Sequence, residues 1–425
     1  MKDQIRMKIK KEKSASTPVS GKSRISFPLK YFGLLCIGLC IGILIGVLFL
    51  PAAGVQRTSI IPSSAGFVNN PDLKPASSFE GGQRYSAGPY NVIVVSGSYY
   101  EMGRQYGNLM KPELNAMYQI LINEDEQKGY SVDELRNFSD GPITLLPARM
   151  KEIIQGMADT SGLTYDDVAI VYYGSFFHDS LPASQPTGCS FLATSSNYTK
   201  DGSMIVSRNF DLNDADSVFD PYYVLVVYRP DDGSNSVATL SPAGMRPETL
   251  MNSKGLIIAD DNGMASGGVD VRGNRPDYIS DFFPFMLDCS SMREIDDDIQ
   301  GARPNSAIIV NAAGPDVAYS YEETAVRPSG ALSPLVRRSD SDGLLVATNH
   351  FVDPSWGNIT SQSQYSTTYL TNSIERYNNL VNQANQNKGT IDVNTTMAIR
   401  DVMIDNGGAT VSHADFGGLP YSTVL

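Results

Sequence analysis

The spacing of apolar residues changes several times along the chain, and each change marks an element. Residues 31–50, YFGLLCIGLCIGILIGVLFL, contain no charge and no proline. Twenty such residues match the ~20 that a helix needs to cross a bilayer, so a transmembrane helix is expected there. Residues 51–90 lose all periodicity and fill with Pro, Gly, Ser and Asn, which predicts a linker. NVIVVS, 91–96, reads as a strand. Helical spacing then begins at Met102 and recurs over 144–159 at Leu146, Met150, Ile153, Ile154 and Met157. Thr164 and Asp167 have the spacing of a reciprocal helix cap, with the helix running to Tyr173. Residues 97–180 are therefore expected to be mostly helical.

At 189 the period shortens. CSFLATSS, GSMIVSRNF, YYVLVVYRP, SVATLSP, GLIIADD, SAIIVNAAG, VAYSYEET and GLLVATNHF are β-branched or alternating runs. Asp201-Gly202, Asp232-Gly233 and Asp342-Gly343 punctuate them as turns. Helical patterns return at 281–301 and 362–387. Strands with a few helices that do not strictly alternate predict an α+β fold with a largely antiparallel sheet. The chain shows no fixed-period repeat and no glycine-rich phosphate loop.

Charge separates the N-terminus from the rest. Residues 1–30 hold nine Lys and Arg against two acids, net +7; the other 24 basic and 44 acidic residues give net −20. A basic flank before an apolar span places residues 1–30 in the cytoplasm and the body outside. Cleavage near Ala52-Ala53-Gly54, releasing a secreted body, is the alternative. An acidic body excludes nucleic acid as a natural partner. Gly38, Gly42 and Gly46 line one face of the apolar helix, where a second copy's helix fits in a homodimer; glycine is also simply common in membrane helices. Beyond the span only Cys189 and Cys289 remain, at most one disulfide. Four glycosylation triplets, at Asn137, Asn197, Asn358 and Asn394, suit an external chain.

Cys189 sits in PTGCSFL, at the head of a strand and after a glycine. The three histidines, His178, His350 and His413, form no HExxH, and no GxSxG elbow exists, so zinc and serine-elbow chemistry find no motif and no cofactor is called for. A thiol needs a base to act as a nucleophile. Cutting the chain between Gly188 and Cys189 creates one, the new α-amino group, with an ordinary pKa of ~7.7–8.0. Gly188 then has a reason: it admits strained backbone and lets the side chain reach the preceding carbonyl. A hairpin through Lys200-Asp201-Gly202 returns Arg208 and Asp211 to the sheet edge where Cys189 begins. There Arg208 favours a thiolate, and Asp211 is suited to orient the new ammonium.

GCSFLA followed by DGSMIVSRNFDL resembles the N-terminal nucleophile (Ntn) hydrolases related to choloylglycine hydrolase, isopenicillin N acyltransferase and the acid amidases. MNSKGLIIADDNG is similar to their N-x-x-G-L segment, and VATNHFVDPSW to their T-N-H stretch. SIERYNNL resembles S-x-x-R-[YF], and GSYYEMGRQYG the E-x-G-x-x-x-G element before the nucleophile. The motifs run in the family's order from 91 to about 416. The resemblance implies a four-layer αββα sandwich, self-cleavage at Gly188–Cys189, a retained small chain over 91–188 and a core over 189–425. It implies hydrolysis or acyl transfer of a linear N-acyl amide through a thioester on Cys189. Arg208, Asp211 and Arg376 would be site residues, with the Asn262 backbone N–H and the Asn349 side chain as the oxyanion hole. Relatives of this kind continue through further core strands where this chain stops, which implies a truncated chain or a short last strand. A fold that has lost cleavage and serves as a binding or structural module is the competing class. A papain-like pair of Cys189 with a histidine stands behind both. Cys289 reads as a core helix residue, and Trp356 as a pocket wall or plain core.

Overall fold

The structure is a computed structural model that describes residues 75–87, 90–127, 129–173, 188–211, 218–219, 221–263, 278–302, 304, 307–324, 335–356, 367–411 and 422–424. Residues 1–30, the apolar run 31–50, His178 and His413 lie outside the described residues. Among the described residues no helix is long and apolar enough to cross a membrane.

The described residues open with three strands, β1 (Ser77–Phe79), β2 (Gly82–Ala87) and β3 (Tyr90–Gly97). Five helices follow: α1 (Tyr99–Leu109), α2 (Lys111–Gln127), α3 (Val132–Leu145), α4 (Ala148–Ser161) and α5 (Tyr165–Tyr173). Strands β4 (Gly188–Thr194), β5 (Ile205–Asp211), β6 (Tyr223–Pro230), β7 (Val237–Pro242), β8 (Thr249–Asn252) and β9 (Ile257–Asn262) come next. After α6 (Phe282–Asp288) and α7 (Met292–Gly301) lie β10 (Ile308–Ala313), β11 (Ala318–Glu323), β12 (Val336–Ser339) and β13 (Leu344–Ala347). The last elements are α8 (Thr367–Gln386), α9 (Val393–Arg400) and β14 (Ser422–Val424).

The strands form two sheets, ordered β1-β2-β3-β6-β7-β8-β9-β10-β11-β12 and β13-β4-β5-β14. The described pairings are antiparallel except β3 with β6. Side-chain alternation along the strands stacks these sheets into layers. In β10, Ile308, Val310 and Ala312 face a core shared with α1, α2 and α4, whereas Ile309 and Ala313 face the smaller sheet. In β4, Phe191 and Ala193 meet that inner core, while Leu192 turns outward to Leu380 and Ala384 of α8 and Ile399 of α9. The layers therefore run helices, large sheet, small sheet, helices. Each sheet buries apolar side chains on both faces because each is covered on both.

The linker expected over 51–90 needs correction, since β1 and β2 lie inside it. Glu80 and Gly81 have φ of 46° and 91°, which fits the turn type favoured in two-residue hairpins. The strands were invisible to an apolar-pattern reading because they are polar edge strands. What holds β2 is an ion pair: Arg84 reaches Glu113 at 2.6 Å, Asn91 Oδ1 at 2.7 Å and the Leu109 carbonyl at 2.8 Å.

The GSYYEMGRQYG element turns out to be architecture. Ser98 and Glu101 cap α1 reciprocally. A Cβ on Gly103 would lie 2.2 Å from the Ile153 carbonyl oxygen, and one on Gly156 2.3 Å from that of Tyr100. Helices α1 and α4 therefore cross backbone to backbone. The cap expected at Thr164 and Asp167 is present, with each backbone N–H donating to the other side chain at 3.1 and 3.2 Å.

Candidate active site

The β4–β5 hairpin pairs Gly188 with Asp211, Cys189 with Phe210 and Phe191 with Arg208. Cys189 and Arg208 both project into the gap between the sheets, since Phe191 and Val206, of the same strand parity, lie in the inner core. Arg208 Nη2 lies 3.3 Å from Cys189 Sγ. The guanidinium also donates to the Asp260 carbonyl at 2.5 Å and to Thr249 Oγ1 at 2.8 Å, and it pairs with Glu248 at 3.3 Å. Strand β8 makes this possible by starting only at Thr249, opposite Ala259, so among the described residues β9 beyond Ala259 has no β8 partner.

Burial pushes the Cys189 thiol well above its ordinary pKa; Arg208 opposes this, and Asp261, Glu248 and Asp260 add to it. In the uncut chain the thiol is protonated at neutral pH. Burial works against the Arg208 charge too, but Cys189 in its thiolate form and the acids Asp260 and Glu248 outweigh it. Burial raises the Asp261 carboxyl to about 6, against Arg208 and an Asn311 hydrogen bond at 2.8 Å.

The backbone around the Gly188–Cys189 bond is held from the other side. Asn349 Oδ1 accepts from Cys189 N at 2.9 Å. Arg376, fully buried on α8, donates to the Cys189 carbonyl at 2.6 Å and to Asn349 Oδ1 at 2.7 Å. Two donors on that oxygen fix the amide's orientation, so Nδ2 faces the Asn262 carbonyl, 3.0 Å away. Gly263 N–H bonds the Ala307 carbonyl, so by ladder alternation Asn262 N–H turns away from β10, toward the side that β8 has vacated.

The structure thus brings Cys189, Arg208, Asn262, Asn349 and Arg376 into one linked set. Asp211 differs. It pairs with Gly188 at the same sheet edge, but its parity puts the carboxyl on the opposite face from Cys189 Sγ. Its Oδ1 has no hydrogen-bond partner among the described residues, and Oδ2 accepts only a 3.4 Å bond from Val411 N. Burial pushes this carboxyl up to about 8, against Arg376, Arg400 and Arg208. The strain expected at Gly188 is also corrected: it lies in ordinary strand backbone, outside the left-handed region. The glycine is needed because a Cβ would stand 2.4 Å from Arg376 Nη2.

Several contributors were not singled out from the sequence. Ser373, one helical turn before Arg376, accepts from Asn349 N at 2.8 Å and donates to Thr348 Oγ1 at 3.0 Å. Thr348 in turn donates to the Ser373 carbonyl at 3.0 Å. His350 Nδ1 joins the same network, 2.8 Å from Ser373 Oγ and 3.1 Å from Thr348 Oγ1, its role there set by the ring's tautomer. Burial and the charges of Arg376 and Arg338 lower His350 to about 4. It is an orienting group on the α8 side, with its Nδ1 on the Ser373 and Thr348 hydroxyls. Glu322 accepts from Val352 N at 2.8 Å and Asp353 N at 3.1 Å, fixing the segment that follows Asn349. The S-x-x-R spacing was the available signal for Ser373. Glu248 and Glu322 carried none. Trp356 is buried and stacks on Phe351 at 4.6 Å, and Phe351 abuts Gly263 beside Asn262. Cys289 follows α6 directly, is buried, and lies 3.1 Å from Asp298.

No protein-family model matches this chain, and no curated protein does. Among solved structures, two variants of the conjugated bile acid hydrolase from Clostridium perfringens are similar to part of it. One shares 16% identity, covers 53% of this chain and 80% of its own, and has a TM-score of 0.34. The other shares 13%, covers 55% and 83%, and scores 0.33. A similarity this low assigns no role to any residue here.

Proposed function

We propose that this chain is a self-processing amidohydrolase or acyltransferase of the N-terminal nucleophile type, acting on a linear N-acyl amide. The observation that supports it is the grip on the Gly188–Cys189 bond. Its nitrogen is on Asn349, the next carbonyl is on Arg376, and the thiol is on Arg208.

In the proposed processing step Cys189 Sγ attacks the Gly188 carbonyl carbon. A C–S bond forms, the C–N bond breaks, and the Cys189 nitrogen takes up the thiol's proton. Water then hydrolyses the thioester, leaving a Gly188 carboxylate and a free Cys189. The new α-amine, of ordinary pKa ~7.7–8.0, replaces the missing base. Its chain neighbour's strand partner is Asp211, whose unpartnered oxygen suits an ammonium. In turnover the same sulfur attacks a substrate amide to give an acyl thioester, released by water or by an acceptor amine. The Asn262 N–H and the second hydrogen of Asn349 Nδ2 are the proposed oxyanion donors, each worth ~2.7–4 kcal/mol. The run 31–50 is the proposed anchor of an external body, with leader cleavage as its alternative.

The test is the intact mass and N-terminal sequence of the purified protein beside Cys189→Ala. The reading expects two chains from the wild type, the larger beginning Cys-Ser-Phe-Leu, and one from the variant. The split protein is then assayed on N-acyl amino acids, N-acyl amines and bile-salt conjugates. A folded wild type that stays whole would refute self-processing and leave the binding-module reading in front.

A further inference from the structure

We propose that Arg400 is a positioning residue for the Cys189–Arg208 pair, clamping β4 and β5 from behind; the inference rests on the reading of Cys189 as the nucleophile. Arg400 ends α9 and is 1% exposed. Its Nε donates to Ser207 Oγ at 2.8 Å and its Nη2 to the Ser207 carbonyl at 2.7 Å. Nη1 reaches Ser190 Oγ at 2.8 Å, and Nη2 the Ser190 carbonyl at 3.3 Å. The Arg400 carbonyl accepts from Thr410 Oγ1, and that oxygen accepts from Asn209 Nδ2 at 2.7 Å.

Ser207 and Asn209 flank Arg208, and Ser190 follows Cys189. All three lie on the outer face of the small sheet, opposite the reacting groups. Arg400 therefore touches neither the thiol nor Arg208, yet it fastens the residues on both sides of one and beside the other. Stability alone does not call for a cation there, because apolar packing holds two paired strands without burying a charge. A planar fork of five donors spans both strands in a way that a single ammonium does not. Burial pushes the Arg400 guanidinium down to about 9; Asp211 and Asp261 oppose this, and at neutral pH Asp261, at about 6, is the more ionised of the two.

The test uses the full chain with Arg400→Met and Arg400→Lys. Two quantities are read: the rate of chain splitting, and the pH profile of Cys189 alkylation by iodoacetamide, followed by peptide mapping. The groups facing the thiol are Arg208 on β5, Asp260 and Asp261 on β9, and Glu248 ahead of β8, and none is altered. Arg400→Met is expected to move the alkylation midpoint upward and to slow splitting about 10²-fold, the scale of a ~1 Å misplacement. Arg400→Lys is expected to recover part of both. A folded Arg400→Met with the wild-type midpoint and splitting rate overturns the proposal, as does a lowered Tm with an unshifted profile. Should Arg400→Met fail to fold, Ser190→Ala and Ser207→Ala each remove one hydroxyl partner. A raised midpoint in either supports the clamp, and wild-type profiles in both overturn it. Alkylation reads the clamp even in a chain that never splits, so its failure and that of self-processing are told apart.

Discussion

Gly188→Ala changes one hydrogen for a methyl group at the point where the chain is most tightly held. The new Cβ would meet Arg376 Nη2 at 2.4 Å, Cζ at 2.6 Å and Nη1 at 3.0 Å, whereas ordinary contact begins at 3.4 Å. The guanidinium must therefore retreat by about 1 Å. Its bonds to the Cys189 carbonyl and Asn349 Oδ1, now 2.6 and 2.7 Å, would then stretch beyond hydrogen-bond range. Hydrogen bonds to a charged group contribute ~1.5–3 kcal/mol each, so losing both removes ~3–6 kcal/mol. Replacing a strand glycine by alanine returns ~0.5–1 kcal/mol. A net loss of about 2–4 kcal/mol is expected after partial relaxation. Urea unfolding of the uncut Cys189→Ala chain, with and without Gly188→Ala, measures it. Repeating the pair in an Arg376→Ala background isolates the route: there the alanine should be nearly neutral. A loss below ~0.5 kcal/mol, or an equal loss without Arg376, would refute the reasoning. In a chain with Cys189 intact, mass spectrometry should show splitting slowed about 10²-fold.

Other expectations follow from the same geometry. An acid held at about 8 in the fold and in the ordinary carboxylate range when unfolded keeps its proton only when folded. Asp211 therefore makes stability fall as pH rises from about 4 to 8, by at most ~1.4 kcal/mol per pH unit. Asp211→Asn in the uncut chain should flatten that slope, and an unchanged slope in urea midpoints at pH 5 and 7.5 would contradict it. Ser373→Ala strands the buried Asn349 N–H, so a loss of ~1–3 kcal/mol and slower splitting are expected by urea unfolding and mass. Gly156→Ala drives a Cβ against backbone atoms of α1, which cannot swing aside as a side chain can. A lower Tm is expected despite alanine's better helix propensity, and an unchanged or raised Tm would show that the helices separate freely.

Much of this was legible in the linear sequence because it is local. Strand and helix periods gave the helical stretch after β3, strands β4–β7, β9–β11 and β13, and helices α6–α8, but not β8, β12, α9 or β14. The hairpin turn at Asp201-Gly202 was enough to bring Arg208 back beside Cys189. The Ser-x-x-Arg spacing put Ser373 and Arg376 on one face of one helix. No apolar pattern marks the polar edge strands at 77–87, where an ion pair to Glu113 does the work that apolar burial does elsewhere.

What the sequence did not contain was contact between distant segments. The reason for Gly188 is a guanidinium that lies 188 positions further on, and spacing offers no route from one to the other. The parity of Asp211 placed it near Cys189 along the chain but on the other face of the sheet. Neither the short helix α9 nor Arg400 carried a signal in the sequence; only the fold buries that guanidinium behind β4 and β5. Local rules decide which residues are strands and which are turns. Only the stacking of two sheets and the helix α8 decides which buried charges share a dry space, and that sharing sets their protonation and their chemistry.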